Sequence, residues 1–244
     1  VVSVDALGHP ADYAQIEQVC SSFNVPLLED AAGALGSTCE GRPAGSFGIG
    51  GCLSFNGNKI VTAGGGGMFV SDDSRIATRV RHLSTQARLG AAYLHDEVGF
   101  NFRMTNVNAA IGVAQLERLD EIVDAKRTIA ARYDEAFVGT QLVAMPRMKW
   151  ADSNCWLYSV LVPSAEEATG LVEQLARRRI QARVFWRALS EQRPYASALK
   201  EVIGNSSDLS GRVVSLPCSS HLVESQQQRV IEAVTAWCGR VVAQ

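Results

Sequence analysis

The sequence is poor in lysine, in histidine and in patterned cysteine. Of its 23 basic side chains only four are lysine (Lys59, Lys126, Lys149 and Lys200), and there are four histidines. Any chemistry that needs an ε-amine therefore has four candidates. The six cysteines, Cys20, Cys39, Cys52, Cys155, Cys218 and Cys238, form no CxxC pair and no cluster with histidine, so the spacing of a zinc site is absent. Unpatterned thiols in a chain of 244 residues suit a reducing environment, and a cytoplasmic location is expected. No apolar run approaches the ~18 residues of a membrane-crossing helix. An excess of one charge is missing too. With 23 basic and 25 acidic side chains the net charge is −2, which leaves no electrostatic footprint for nucleic acid or an anionic membrane surface. What remains is an ordinary globular composition, 47% hydrophobic and 20% charged, long enough to bury a core without disulfides or metals.

The hydrophobic pattern starts with a strand over residues 1–7, closed by Gly8-His9-Pro10. Residues 12–23 then carry Ile16, Val19, Cys20 and Phe23 at helical spacing, and residues 25–30 (VPLLED) form a short apolar strand. Such a βαβ unit implies a parallel sheet with a right-handed crossover. Strands are expected at 51–56 and 67–71, a helix at 72–83, an irregular stretch at 84–103, and one long helix from 105 to about 137. The pattern lapses around 138–153. We therefore expect residues 1–140 to form an α/β domain and residues 141–244 a smaller α+β domain. The latter would hold a strand at 156–162, a capping box (Ser164 to Glu167) opening a helix to Arg179, strands at 180–185 and 212–216, and a terminal helix at 225–237.

Two charged residues sit where an open parallel sheet binds ligands, beyond the carboxyl ends of its strands. Asp30 ends the strand VPLLED, and Lys59 follows the strand GCLSFN through Gly57-Asn58. Both should project into one crevice. Each alone is also an ordinary residue, an aspartate capping a turn and a lysine in a surface loop. The run Gly64-Gly65-Gly66-Gly67 lacks the GxxxxGK[ST] pattern and leads into a strand, which argues against a P-loop. Positive φ angles and close backbone approach are the expected uses of those glycines. His9 and His95 read as structural or substrate-edge residues, and no Ser/His/Asp set or metal set emerges.

Residues 54–59 (SFNGNK) and 62–68 (TAGGGGM), with Glu29-Asp30-Ala31-Ala32, residues 99–104 (GFNFRM), Asn108-Ala109-Ala110 and Gln115-Leu116-Glu117, resemble in order and spacing the DegT/DnrJ/EryC1/StrS sugar aminotransferases. Weaker matches lie at Trp156-Leu157-Tyr158, Arg183-Val184-Phe185-Trp186 and Ser215-Leu216-Pro217. These are fold-type-I enzymes that use pyridoxal 5'-phosphate. The resemblance implies an incomplete large domain with a mainly parallel sheet, followed by a small C-terminal α+β domain. It makes Lys59 the lysine that joins the cofactor covalently and later moves a proton, and Asp30 the carboxylate at the pyridine nitrogen. Ala32, Ser54 and Asn101 would complete the cofactor site. Ser54 would meet the phosphate, and Asn101 would reach the phosphate held by a neighbouring subunit, which implies a homodimer. Arg103 would order that loop or touch substrate. Lysine at position 59, where sugar dehydratases of the family have histidine, favours transamination.

By the same resemblance the substrates are a nucleotide-linked 4-keto-6-deoxysugar and an amino donor, glutamate by analogy, for surface glycans of the bacillosamine, legionaminic acid or perosamine type. Gly33 departs from the pattern, since many relatives place Gln or His there against the cofactor ring. Relatives also carry an N-terminal portion ahead of the segment matching Val1, with a phosphate-gripping turn and an aromatic that stacks on the ring. This chain is accordingly expected to be the rear part of a larger enzyme and to bind cofactor weakly on its own. The alternative expectation is a non-catalytic piece, a scaffold or half of a split protein.

Overall fold

The computed structural model describes residues 1–201 and 204–241. In chain order the first elements are β1 (Val2–Val4), α1 (Tyr13–Ser22), β2 (Leu28–Asp30), β3 (Thr38–Cys39), β4 (Arg42–Pro43), β5 (Gly51–Ser54), β6 (Gly67–Val70), α2 (Ser74–Ser84), α3 (Asn106–Leu116) and α4 (Leu119–Ala136). They are followed by β7 (Val143–Ala144), β8 (Ala151–Asp152), β9 (Tyr158–Leu161), α5 (Ala165–Arg177), β10 (Arg183–Val184), α6 (Asn205–Leu209), β11 (Val213–Leu216) and α7 (Glu224–Val241). The chain divides into two compact units, one of residues 1–124 with 147–156, the other of residues 125–146 with 157 onward.

The first unit is built on a sheet of order β1-β2-β5-β6. The β1/β2 and β2/β5 pairs are parallel and β5/β6 is antiparallel, so the sheet is mainly parallel, as expected. Its register sets Asp30 opposite Val4 on one side and Cys52 on the other, which aligns the carboxyl ends of β1, β2 and β5. β1 is shorter than its apolar pattern because residues 6–8 turn into a 3-10 helix with Leu7 at φ 60°. The Asp12 carboxylate caps α1 by accepting from Gln15 N–H at 3.2 Å. Beneath α1, the Tyr13 ring stacks on Phe47 with centroids 4.0 Å apart, among buried Cys20, Leu27 and Cys39. A second sheet of order β4-β3-β8 has no counterpart in the sequence pattern, because its strands are two residues each.

The long helix expected over 105–137 is two helices. α3 ends at Leu116, Arg118 N–H bonds back three residues to Gln115 O at 3.1 Å, and α4 restarts with Ile122 N–H on Arg118 O at 3.0 Å. Neither Gly nor Pro marks the break, so the helical periodicity runs across it unannounced. In α3 Gly112 is buried, with Ala63 3.6 Å from where its β-carbon would be, while Val107, Ile111 and Val113 are exposed.

The second unit has an antiparallel sheet of order β10-β11-β9-β7. The Ser164 hydroxyl caps α5 by accepting from Glu167 N–H at 3.1 Å, as the capping box predicts. α5 stops two residues short of Arg179, which adopts φ 57° while Ile180 N–H closes onto Leu175 O. Val160, Val162, Leu171, Leu175, Val214 and Val234 are all fully buried. Tyr133 of α4 tilts against Tyr158 with centroids 4.8 Å apart and donates its hydroxyl to Pro217 O at 2.8 Å. All six cysteines are free thiols. Among the described residues no helix is long and apolar enough to cross a membrane.

Candidate active site

The site grows from two strand ends of the first unit. Directly after β2, the Asp30 Oδ1 accepts from Ala32 N–H at 3.1 Å and starts the turn through residues 31–36. Its second oxygen accepts no hydrogen bond among the described residues. After β5 the chain folds back on itself. Phe55 N–H donates to Gly66 O and Ala63 N–H to Phe55 O, both at 3.0 Å, with Ile60, Val61 and Ala63 buried below. Lys59 N–H closes a tight turn onto Asn56 O at 3.0 Å, which lifts Lys59 to the top of this loop. The glycine run makes the fold-back possible. Gly64 and Gly66 take φ 78° and 86°, and a β-carbon on Gly67 would lie 2.4 Å from Leu53 O.

These two strand ends bring Asp30 and Lys59 together. Burial holds the Lys59 amine below its ordinary value, and the Asp30 carboxylate, close enough to act on it, pulls the other way without prevailing. The field of Asp30 also reaches its cross-strand neighbour Cys52, whose thiol is pushed up by burial first and by that carboxylate second.

Three further residues complete the arrangement: Ser37 and Asn154, from segments that the sequence pattern leaves as linker, and Trp156, expected as the first residue of a strand. The Lys59 Nζ lies 3.5 Å from the ring centroid of Trp156. The same indole donates its Nε1–H to Asn58 O at 2.7 Å. Asn154, fully buried, donates Nδ2 to Gly33 O at 2.9 Å and to Leu35 O at 2.8 Å, and its Oδ1 accepts from Trp156 N–H at 2.8 Å. The Ser37 hydroxyl accepts from Asn154 N–H at 2.8 Å. Residues 153–156 thus tie the Asp30 turn to the Lys59 loop. A polar run (Asp152-Ser153-Asn154) ahead of a strand looks like an ordinary connection, and nothing local distinguishes it.

The other expected residues are more dispersed. Ser54 ends β5, and its hydroxyl accepts weakly from Asn56 N–H at 3.4 Å, with its own proton uncommitted among the described residues. Asn101 and Arg103 line a cavity of about 870 Å³ with Arg81, Arg88 and Met104; neither Lys59 nor Asp30 lines it. His9 has both ring nitrogens engaged, Nδ1 with Pro10 O and Nε2 with Met148 N–H. His95 Nδ1 lies 2.7 Å from Gln86 O. Both are thus held by main-chain partners. Where the sequence suggested no metal set, the structure gathers His82, Asp96 and Glu97 within 4.8 Å of one another. An Arg79 guanidinium already pairs with Glu97, and His82 Nε2 lies 2.7 Å from Asp96 Oδ1, so the group is a surface cluster whose members already engage one another and Arg79.

The description of the DegT/DnrJ/EryC1/StrS aminotransferase family matches residues 1–235. The chain belongs to that family. It is 40% identical over 240 residues to EpsN of Bacillus subtilis, whose name places it among pyridoxal phosphate-dependent aminotransferases; the match covers 96% of this chain and 62% of EpsN. It is 34% identical over 236 residues to the GDP-perosamine synthase of Escherichia coli O157:H7, covering 96% of this chain and 64% of that protein. Among solved structures, a DegT DnrJ EryC1 StrS aminotransferase from Brucella abortus superposes with a TM-score of 0.89 at 26% identity, over 98% of this chain and 64% of that one. The chain thus spans 62% and 64% of the length of these curated relatives.

Proposed function

We propose that this member of the family carries the lysine-and-carboxylate part of a pyridoxal phosphate-dependent aminotransferase that moves an amino group onto a nucleotide-linked keto sugar. One observation carries this reading. A half-buried lysine amine and a carboxylate near enough to act on it electrostatically are set at the shared carboxyl end of β2 and β5. That donor set fits a cofactor with one aldehyde and one protonatable ring nitrogen.

When bound, the cofactor supplies an aldehyde and an electron-withdrawing ring. Lys59 Nζ is the nucleophile, and burial enlarges its neutral, reactive fraction near neutral pH. With the cofactor in place, the same amine in its free form would take the proton from the donor's α-carbon and deliver it to the carbon that had carried the cofactor's aldehyde, for which a lowered proton affinity is the right poise. Asp30 is held in orientation by Ala32 N–H on Oδ1, which leaves Oδ2 to hold a proton at the ring nitrogen. Ser54 has a hydroxyl proton to offer an anionic group. Asn101 lines a cavity that Lys59 does not share, which suits service to a neighbouring subunit in a homodimer. The GDP-perosamine synthases among the relatives favour a nucleotide-linked sugar as acceptor; its 4-keto-6-deoxy form and glutamate as donor follow from the family resemblance alone.

Four lysines make a site-resolved test practical. The chain is incubated with excess pyridoxal phosphate, reduced with borohydride, digested and mapped by mass spectrometry. The expected result is preferential labelling of Lys59 over exposed Lys149 and Lys200, lost in Lys59→Ala. Labelling spread over the exposed lysines, with Lys59 unmodified, would overturn the reading.

A further inference from the structure

Trp156 touches three parts of the site at once. Its benzo edge faces Gly33, where a β-carbon would come within 2.6 Å of Cε3 and 2.9 Å of Cζ3. Its Nε1–H holds the main chain of the lysine loop at Asn58 O, 2.7 Å away. Its face takes the Lys59 Nζ at 3.5 Å from the centroid. The indole is 4% exposed, and Asn154 Oδ1 fixes its backbone, so the platform is rigid.

We propose that Trp156 is the positioning residue of the Lys59 amine, and that Gly33 is the gap that admits it. The ring restrains the lysine twice, through the peptide before it and through the amine at its tip. A side chain at position 33 would push the indole off Lys59. The contact screens the amine from water on one side, and the depressed proton affinity of Lys59 is a consequence of that burial. A ring face by itself favours the charged amine. Burial of the amine outweighs the attraction of Asp30, the charged group that faces Lys59 from the end of β2. The functional meaning of this positioning rests on the reading of Lys59 as the reacting amine, but the contact itself is tested without cofactor.

The test is the rate of Lys59 acetylation against pH, read by peptide mass spectrometry on the whole chain. Wild type is compared with Trp156→Leu, Trp156→Phe and Gly33→Ala; buried Lys126 of the second unit and, alkylated in parallel, the buried Cys39 thiol of the first serve together as internal controls for folding. In Trp156→Leu and Gly33→Ala the high-pH plateau for Lys59 should rise severalfold, toward that of exposed Lys149 and Lys200. The midpoint should move up toward ordinary lysine. Trp156→Phe, which keeps a ring face, should stay close to wild type. An unchanged Lys59 profile in Trp156→Leu and Gly33→Ala, with Lys126 and Cys39 still protected, would overturn the proposal. Should those variants lose the protection of Lys126 or Cys39, Lys59→Met decides. The assigned indole N–H resonance of Trp156 should shift while those of Trp150, Trp186 and Trp237 stay, and an unmoved Trp156 resonance refutes the contact. A Lys59 that rests on Trp156 yet is not trapped by pyridoxal phosphate would refute the aminotransferase reading alone.

Discussion

Gly33 and Trp156 share one space: a β-carbon on residue 33 would lie 2.6 Å from the indole Cε3. Gly33 is therefore matched by an aromatic 123 positions later in the sequence, and the pair shapes the surroundings of Lys59.

Gly33→Ala should destabilise the fold, because its methyl must displace buried ring atoms. Overpacking of this kind costs about 1–3 kcal/mol. The urea midpoint should fall with the slope unchanged, and a midpoint equal to wild type would show that the indole yields freely.

Asn154→Ala should cost more. The substitution strands the carbonyls of Gly33 and Leu35 and the N–H of Trp156, three buried or half-buried backbone groups. With ~1–3 kcal/mol for each unsatisfied buried group, the loss should be on the order of 3 kcal/mol or more. Asn154→Asp should be no better, since a carboxylate would then face two carbonyl oxygens. Thermal unfolding of the three proteins compares them directly.

A pair of buried carboxyls beneath the site should make stability depend on pH. Glu29 accepts from Gly45 N–H at 2.6 Å and Phe47 N–H at 2.9 Å, yet burial first, and the carboxylate of Asp5 with it, push its carboxyl up to about 7. Asp5 Oδ1 accepts from Tyr13 OH at 2.7 Å and Ala11 N–H at 3.1 Å, while Oδ2 is buried with no hydrogen-bond partner among the described residues. Asp5 too is raised by burial. A carboxyl raised in the folded state binds its proton more tightly there than in the unfolded chain. Its contribution is full below the ordinary glutamate range and is lost as pH rises through about 7. Stability should therefore fall between mildly acidic pH and pH ~8, by on the order of 2 kcal/mol from this pair. Asp5→Asn keeps the acceptor for Tyr13 and removes the neighbouring charge, so it should flatten that slope. Chemical denaturation across the pH range reads it, and an unaltered slope in Asp5→Asn would rule the coupling out.

Strand ends were legible in the sequence because apolar runs and their closing residues are local. VPLLED announces where β2 stops, GCLSFN overshoots the end of β5 by two residues, and a parallel register then sets Asp30 and Lys59 at one edge. The conformations of Gly64 and Gly66 were legible for the same reason, since the run leads into a strand. The contribution of residues 153–156 was not legible. Asn154 and Trp156 act across more than 90 positions, through backbone groups that leave no trace in periodicity. The break between α3 and α4 was hidden because an i→i−3 bond needs no particular residue. The proximity of His82 to Asp96 depends on how the 84–103 stretch folds back, with Thr85 bridging Asn101 and Arg88 bridging His95, and its sequence carries no regular pattern.

The central claim is that Lys59, poised by burial and faced by Asp30, is the amine that takes up pyridoxal phosphate. An absorbance titration of the chain with that cofactor tests it most directly, run in parallel on wild type, Lys59→Ala and Asp30→Asn. The account predicts a visible, borohydride-reducible band in wild type that is abolished in Lys59→Ala and weakened in Asp30→Asn. A band of equal amplitude in wild type and Lys59→Ala would contradict it.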